Sequence, residues 1–92
     1  MVTHIVFWKL QDENKAENAA KIKVGLEALV GVVPGLLDLT VGLNQNGGEY
    51  DLCLLSHFST GNALKAYDEH PEHQRMRAFI RGIIVVRAAV DY

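Results

Sequence analysis

Hydrophobic and polar positions alternate from the start of the chain. In an extended segment, one face would carry Val2, His4, Val6 and Trp8, and the other Thr3, Ile5, Phe7 and Lys9. Period-two alternation with β-branched and aromatic residues is typical of a strand. We therefore predict a strand over residues 2 to 10 with two largely apolar faces.

A helical pattern follows this strand. Asn14, with Glu17 three residues later, resembles an N-cap and its capping-box partner. Apolar residues then recur at helical spacing, namely Ile22, Leu26, Leu29 and Val30. We predict that the helix ends near Gly31, with Pro34 beyond it.

From Leu36 the pattern returns to period two. One face would carry Leu37, Leu39, Val41 and Leu43, and the other Asp38, Thr40 and Gly42. The segment 44–49 is rich in Asn and Gly, and a third strand from Tyr50 to Phe58 follows it. The two strands are therefore predicted to form an antiparallel hairpin.

The remaining elements are two helical pieces and a strand. Ser59 can cap a short helix, which His70-Pro71 interrupts because proline disfavours α conformation in the residue before it. A second piece runs from Pro71 to about Arg81, and Gly82 ends it before a strand over 83–92. Its inward residues are predicted to be Met76, Phe79 and Ile80.

The order β-α-β-β-α-β predicts one ferredoxin-like α+β domain over residues 1–92, with a four-stranded antiparallel sheet. Two helices cover only one face of such a sheet, yet the first and last strands are apolar on both faces. We therefore expect a second copy to cover the open face, which gives a homodimer.

Charge and composition exclude several classes of protein. A net charge of -2 over 92 residues, with a pI near 6.0, provides no basic surface for nucleic acid or an anionic membrane. Cys53, the single cysteine, lies in an apolar run and is predicted to be a buried core residue. We find no signal peptide or membrane span, so a cytoplasmic protein is expected.

Several motifs together resemble a known family. They are Thr3-His4-Ile5-Val6-Phe7-Trp8-Lys9-Leu10, Val33-Pro34-Gly35, Tyr50-Asp51-Leu52, Tyr67 followed by His70-Pro71-Glu72-His73, and the terminal Val90-Asp91-Tyr92. In order and spacing the chain is similar to the stress-responsive α/β-barrel (Dabb) family. The resemblance implies a dimeric α+β barrel.

The resemblance also implies a candidate active site. Some plant members are polyketide cyclases that use the tyrosine and second histidine of this motif without a cofactor, which here are Tyr67 and His73. A neutral imidazole can remove a proton beside a carbonyl, and a tyrosine hydroxyl can hold the oxygen where charge develops. The alternative is that both rings are structural, hydrogen-bonding to backbone and filling the core.

Further residues are assigned from their neighbourhood. His73 shares a helix face with Met76 and Ile80, which turns the imidazole toward the sheet. The predicted ligand-binding residues are His4, Phe7, Met76 and Phe79. His57 is expected to be peripheral, His70 to serve the helix break, and neither a metal site nor a cofactor is predicted.

Three hypotheses remain open at this point. The first is a homodimer that binds a small apolar or polyketide-like molecule and carries out proton-transfer chemistry, a cyclisation or isomerisation. The second is a non-catalytic, stress-related structural protein. The third is a monooxygenase of the related dimeric barrel type. A cavity of several hundred Å³ with His73 and Tyr67 on its wall would favour the first.

Overall fold

The computed structural model describes residues 1–92 and contains four strands and three helices. They are β1 (Val2–Leu10), α1 (Lys15–Glu27), β2 (Leu36–Leu43), β3 (Leu52–Phe58), α2 (Gly61–Glu69), α3 (Pro71–Arg81) and β4 (Ile84–Asp91). The strand order is β2-β3-β1-β4 and every neighbouring pair is antiparallel. The predicted ferredoxin-like βαββαβ fold is confirmed, with the second helix divided into α2 and α3.

The alternation along β1 decides which side of the sheet is the core. Val6, Trp8 and Leu10 are at most 5% exposed and face the helices, whereas Phe7 is 39% exposed on the other face. Because cross-strand partners share a face, Leu55 and Val90, which pair with Ile5, lie on that same open face. Both remain exposed, so one apolar face of the sheet is uncovered.

The ends of the helices differ from the sequence prediction. Asn14 is the N-cap residue of α1, as predicted, but it adopts the left-handed region at φ 55° and its side chain makes no capping hydrogen bond, so the predicted capping box is wrong. The helix ends at Glu27, and turns continue from there to Gly35, passing through Gly31 at φ 86°. At the next helix, the hydroxyl of Thr60 rather than Ser59 accepts from the Ala63 N–H at 3.1 Å.

Two strand predictions also change. The register shifts between Leu36 and Asp38, so Leu36 is buried and Leu37 is 52% exposed. Leu37 therefore does not share the core face with Leu39, because a shift of one residue moves a side chain to the other face. Cys53 lies half-buried on the open face opposite Phe7, not in the core as predicted.

A charged pair protects the edge strand β2. The Glu27 carboxylate accepts from the Val41 N–H at 3.0 Å and from Lys23 Nζ at 2.8 Å, while Lys23 also donates to the Val41 carbonyl at 2.7 Å. The hydrogen bond from Lys23, with that from the Val41 N–H, lowers the pKa of Glu27. Unpaired backbone groups of an edge strand are thus satisfied by helix α1.

None of the three helices has the length and apolar content needed to cross a bilayer.

Candidate active site

A cavity of about 560 Å³ lies between the sheet and the helices α2 and α3, partly open to solvent. Strand β1 contributes His4 and Trp8, both on its helix-facing side. Helix α3 contributes His73, Arg77 and Ile80, which share one face because they are four and three residues apart. Polar and charged residues therefore meet an apolar floor in a single cleft.

The break at His70-Pro71 brings Tyr67 and His73 together. Residues six apart on one continuous helix would point about 120° apart. Here His70 is extended, with ψ 135°, and the chain turns between α2 and α3. The His70 Nδ1 accepts from the Glu72 N–H at 3.1 Å and starts the second helix, in agreement with its predicted role at the break.

As a result, the two rings pack against each other in the cavity wall. The Tyr67 and His73 ring centroids are 4.1 Å apart with an interplanar angle of 39°. Tyr67 is 2% exposed, and on its other side it contacts Phe58 at a centroid distance of 5.0 Å. The tyrosine is thus enclosed between two aromatic rings, whereas His73 is half-buried, and both residues line the cavity.

Hydrogen bonding indicates the tautomer of His73. Its Nδ1 lies 3.3 Å from the backbone carbonyl oxygen of Asp68, which can only accept. The proton of the neutral ring is therefore assigned to Nδ1, and Nε2 is left as the free acceptor. The same carbonyl accepts a shorter bond, 2.6 Å, from Gln74 Nε2.

Burial shifts the two groups in opposite directions. Desolvation lowers the pKa of His73, against a smaller opposing effect of the hydrogen bond to Asp68. Burial raises the pKa of the Tyr67 hydroxyl well above its ordinary value of 10.0. Near neutral pH the pair is therefore an unprotonated imidazole beside a protonated phenol, a base next to a hydrogen-bond donor.

A second histidine completes the polar wall. His4 Nδ1 is hydrogen-bonded to the Asp91 carboxylate, its cross-strand partner on β4. The His4 and Tyr67 ring centroids are 6.4 Å apart, so the tyrosine has an imidazole neighbour on β1 as well as one on α3. In the neutral form of the ring, this pairing places the proton on Nδ1 and leaves Nε2 as the acceptor. Asp91 was not predicted as a site residue, although it belongs to the terminal motif.

Three predicted ligand-binding residues lie outside this cavity. Phe7 is on the opposite face of β1, because neighbouring residues of a strand alternate. Met76 packs toward α1, where a Cβ on Gly25 would collide with its sulfur. Phe79 lies under Lys21, with the ammonium nitrogen 6.0 Å from the ring centroid. Only His4 of that predicted set lines the cavity with Tyr67 and His73.

The remaining polar candidates have local partners. His57 lies on the open face with Nδ1 2.7 Å from Asp38, and no group of three or more His, Cys, Asp or Glu side chains is arranged to bind a metal. The indole Nε1 of Trp8 is the one buried side-chain nitrogen or oxygen without a hydrogen-bond partner. Trp8 also lines the cavity, an involvement that the alternation pattern alone did not reveal.

Comparison with known proteins identifies the family. Residues 2–92 match the sequence model of the stress responsive A/B barrel domain, Dabb. The chain belongs to the Dabb family. This confirms the resemblance found in its motifs. No curated protein sequence matches the chain significantly.

Solved structures agree with this Dabb assignment. A dimeric ferredoxin-like protein of unknown function from Bacteroides fragilis is 33% identical, with a TM-score of 0.92 over 99% of this chain and 93% of that one. One from Jannaschia, also described as dimeric, is 25% identical, with a TM-score of 0.86 over 99% and 96%. A hydroxynitrile lyase from Passiflora edulis has a TM-score of 0.85 over 99% and 90%, at 13% identity, which shows a shared fold alone.

Proposed function

We propose that this Dabb protein is a homodimer whose protomers each bind a small, largely apolar or polyketide-like molecule and transfer a proton beside its carbonyl group. His73 is the base and Tyr67 the hydrogen-bond donor, and no cofactor takes part. The observation that carries this proposal is the contact between the Tyr67 and His73 rings on the wall of a cavity of about 560 Å³. A filled core would have supported the structural alternative instead.

The proposed step uses the two groups in complementary roles. Nε2 of His73 accepts the proton as the C–H bond next to the carbonyl breaks, and the electron pair of that bond forms the enolate. The Tyr67 hydroxyl donates to the carbonyl oxygen as negative charge develops there. For isomerisation, the imidazolium returns the proton to a different carbon of the conjugated enolate. For ring closure, the enolate carbon instead attacks a second carbonyl of the same molecule, and the imidazolium gives the proton to the alkoxide oxygen that forms as that C=O bond opens.

His4 has a supporting role in this proposal. Its Nδ1–H is held by Asp91, so the ring keeps one orientation beside Tyr67. Its free Nε2 is an acceptor that can orient a hydroxyl or enol group of the ligand. The apolar body of the ligand is proposed to contact Trp8, Leu54 and Ile80 in the same cavity.

The dimer rests on the open face of the sheet. Phe7, Leu55 and Val90 are 39%, 42% and 58% exposed there, and an apolar patch of this kind is typical of an interface. The neighbour from Bacteroides fragilis is described as dimeric, which supports a dimer for this chain as well. The cavity lies on the other side of the sheet, so dimerisation through this face leaves it free.

The assembly can be tested with one charge. Phe7→Glu places a carboxylate in the proposed interface and is expected to give a monomer, or to prevent folding, in light scattering with circular dichroism. Glu17→Gln, an exposed change on α1, is the control and keeps the dimer. A wild-type protein that is monomeric at micromolar concentration would contradict the dimer.

The alternative reactions lack comparable support. Neighbours with monooxygenase and lyase names are 16% and 13% identical to this chain, too distant to transfer either reaction. Neither is needed to explain the arrangement of Tyr67 and His73. A non-catalytic, stress-related role stays as the result to expect if the proton-transfer test below is negative.

Deuterium exchange tests the chemistry without knowledge of the natural ligand. The probe is 4-phenylbutan-2-one in D₂O, a ketone with an apolar ring, and loss of its α-proton signals is followed by NMR. The wild type is expected to accelerate exchange, and Tyr67→Phe, which removes only the hydroxyl, to lose most of that acceleration. His57→Gln is the matched control, because that histidine lies on the other face of the sheet. No acceleration by the wild type, or equal rates in all three proteins, would refute this assignment.

A further inference from the structure

Cationic side chains are concentrated around the cavity. Four of the nine Lys and Arg residues line it, compared with two of the eleven Asp and Glu residues. The four are Lys65, Arg77, Arg81 and Arg87. The chain as a whole carries a net charge of -2, so the cavity reverses the sign of the overall charge.

Both carboxylates of the cavity already have partners. Asp68 Oδ1 accepts from Arg77 Nη1 at 3.3 Å, and Asp91 is paired with His4. The other three cations, Lys65, Arg81 and Arg87, have no carboxylate within 4.0 Å. Positive charge at this site is therefore not neutralised by the protein itself.

The three free cations come from three elements around one cleft. Lys65 is on α2, Arg81 is in the last turn of α3, and Arg87 is on β4 directly opposite Trp8. All three are exposed, whereas Trp8, Leu54 and Ile80 on the cavity wall are buried. The cleft thus has an apolar interior and a cationic rim.

We infer that the cavity selects an amphipathic anion, a carboxylate on an apolar chain or ring, over an uncharged molecule of the same size. The apolar body would lie against Trp8 and Ile80, and the carboxylate at the rim near Arg81 and Arg87. This inference deepens the proposed function by naming the charge of its ligand, and it rests on the proposal that the cavity binds one. A carboxylate suits guanidinium groups because the two form charge-assisted, bidentate hydrogen bonds.

A matched pair of probes tests the charge directly. Octanoate and 1-octanol have the same chain length, and binding of each is followed by the fluorescence of Trp8, the single tryptophan, which lines the cavity. We expect the Kd of octanoate to be lower by about tenfold or more, a factor equal to about 1.4 kcal/mol. Its affinity should fall when salt is raised to about 0.15 M, where charges are screened beyond about 8 Å.

Variants then locate the charge. Arg81→Gln and Arg87→Gln should each weaken octanoate several-fold and leave octanol unchanged. Arg75→Gln is the control on the same helix, since Arg75 lies outside the cavity and pairs with Glu72. The control should bind octanoate like the wild type.

Each contrary outcome has a distinct meaning. Equal affinities for the two probes, or equal octanoate binding by all three variants, would overturn the inference and leave the proposed cavity ligand standing. No binding of either probe at millimolar concentration would overturn both. The exchange assay uses an uncharged ketone, so its result depends on Tyr67 and His73 and is independent of this charge preference.

Discussion

Replacing His73 with Phe separates a catalytic imidazole from a structural one. The substitution keeps an aromatic ring against Tyr67, a pair contributing about 0.5–1.5 kcal/mol. It removes one hydrogen bond, the 3.3 Å contact to the Asp68 carbonyl. That oxygen still accepts a 2.6 Å bond from Gln74, so no buried acceptor loses its last partner.

The expected stability loss can be worked out from these contacts. A long hydrogen bond with a remaining donor lies at the low end of the usual range, about 0.5 kcal/mol. In a domain of this size that corresponds to a Tm lower by about 2–4 °C. Calorimetry of His73→Phe should therefore show a small shift, while α-proton exchange of 4-phenylbutan-2-one falls to the uncatalysed rate.

Two results would refute this reasoning. Wild-type exchange in His73→Phe would show that the ring is not the base. A Tm lower by more than about 10 °C would correspond to a loss of more than about 1.3–2.5 kcal/mol and would show a structural role that the contacts do not explain.

Three further predictions concern stability. In urea denaturation, Glu27→Ala should lower the free energy of unfolding by about 1 kcal/mol because it removes the acceptor of the Val41 N–H. Glu17→Ala, whose partner Lys21 is 3.5 Å away at the surface, should lower it by only about 0–0.5 kcal/mol. Equal losses would contradict the edge-strand role of Glu27. Gly35→Ala should lower the free energy of unfolding by about 2–4 kcal/mol, because φ is 82° and the new Cβ would lie 2.5 Å from that of Ala63. Gly31→Ala, at φ 86° with open space around it, should show only the backbone strain of about 1–2 kcal/mol. A larger loss at Gly31 than at Gly35 would contradict the close approach of Gly35 to Ala63. Burial lowers the pKa of His73 in the folded state, so the unfolded state binds more protons as the pH falls below about 6.5, and the free energy of unfolding should decrease on acidification from that pH. His73→Phe should make this dependence of stability on pH less steep. An unchanged pH dependence in the variant would contradict the lowered pKa of His73.

The fold could be predicted from the sequence because apolar and polar residues alternate with a strong strand or helix period. Alternation in β1 separated Val6 and Trp8 from Phe7, and the structure keeps that division. The features that were predicted wrongly are local ones, such as the capping box at Asn14 and the outward turn of Leu37. They depend on backbone conformation and on one register shift, and neither leaves a mark in the spacing of apolar residues.

The candidate active site could be predicted from the sequence only in part. The structure places His4, Tyr67 and His73 in one cavity. Met76 points toward α1 instead, because α3 turns Arg77 and Ile80 toward the cavity and packs its adjacent face on Gly25. Asp91 reaches His4 only through the β1–β4 register. Rotation of a helix about its axis and pairing of distant strands are set by packing across the whole molecule, which one sequence pattern does not specify.

The pH dependence of exchange tests the central claim most directly. The rate of α-proton exchange is measured across the acidic-to-neutral range while the His73 ring is titrated by NMR on the same protein. If neutral His73 is the base, the rate should rise with pH, with a midpoint below about 6.5 that equals the midpoint of the ring, and then level off because Tyr67 stays protonated. A rate that is independent of pH in this range, or that follows a midpoint different from that of His73, would contradict the account.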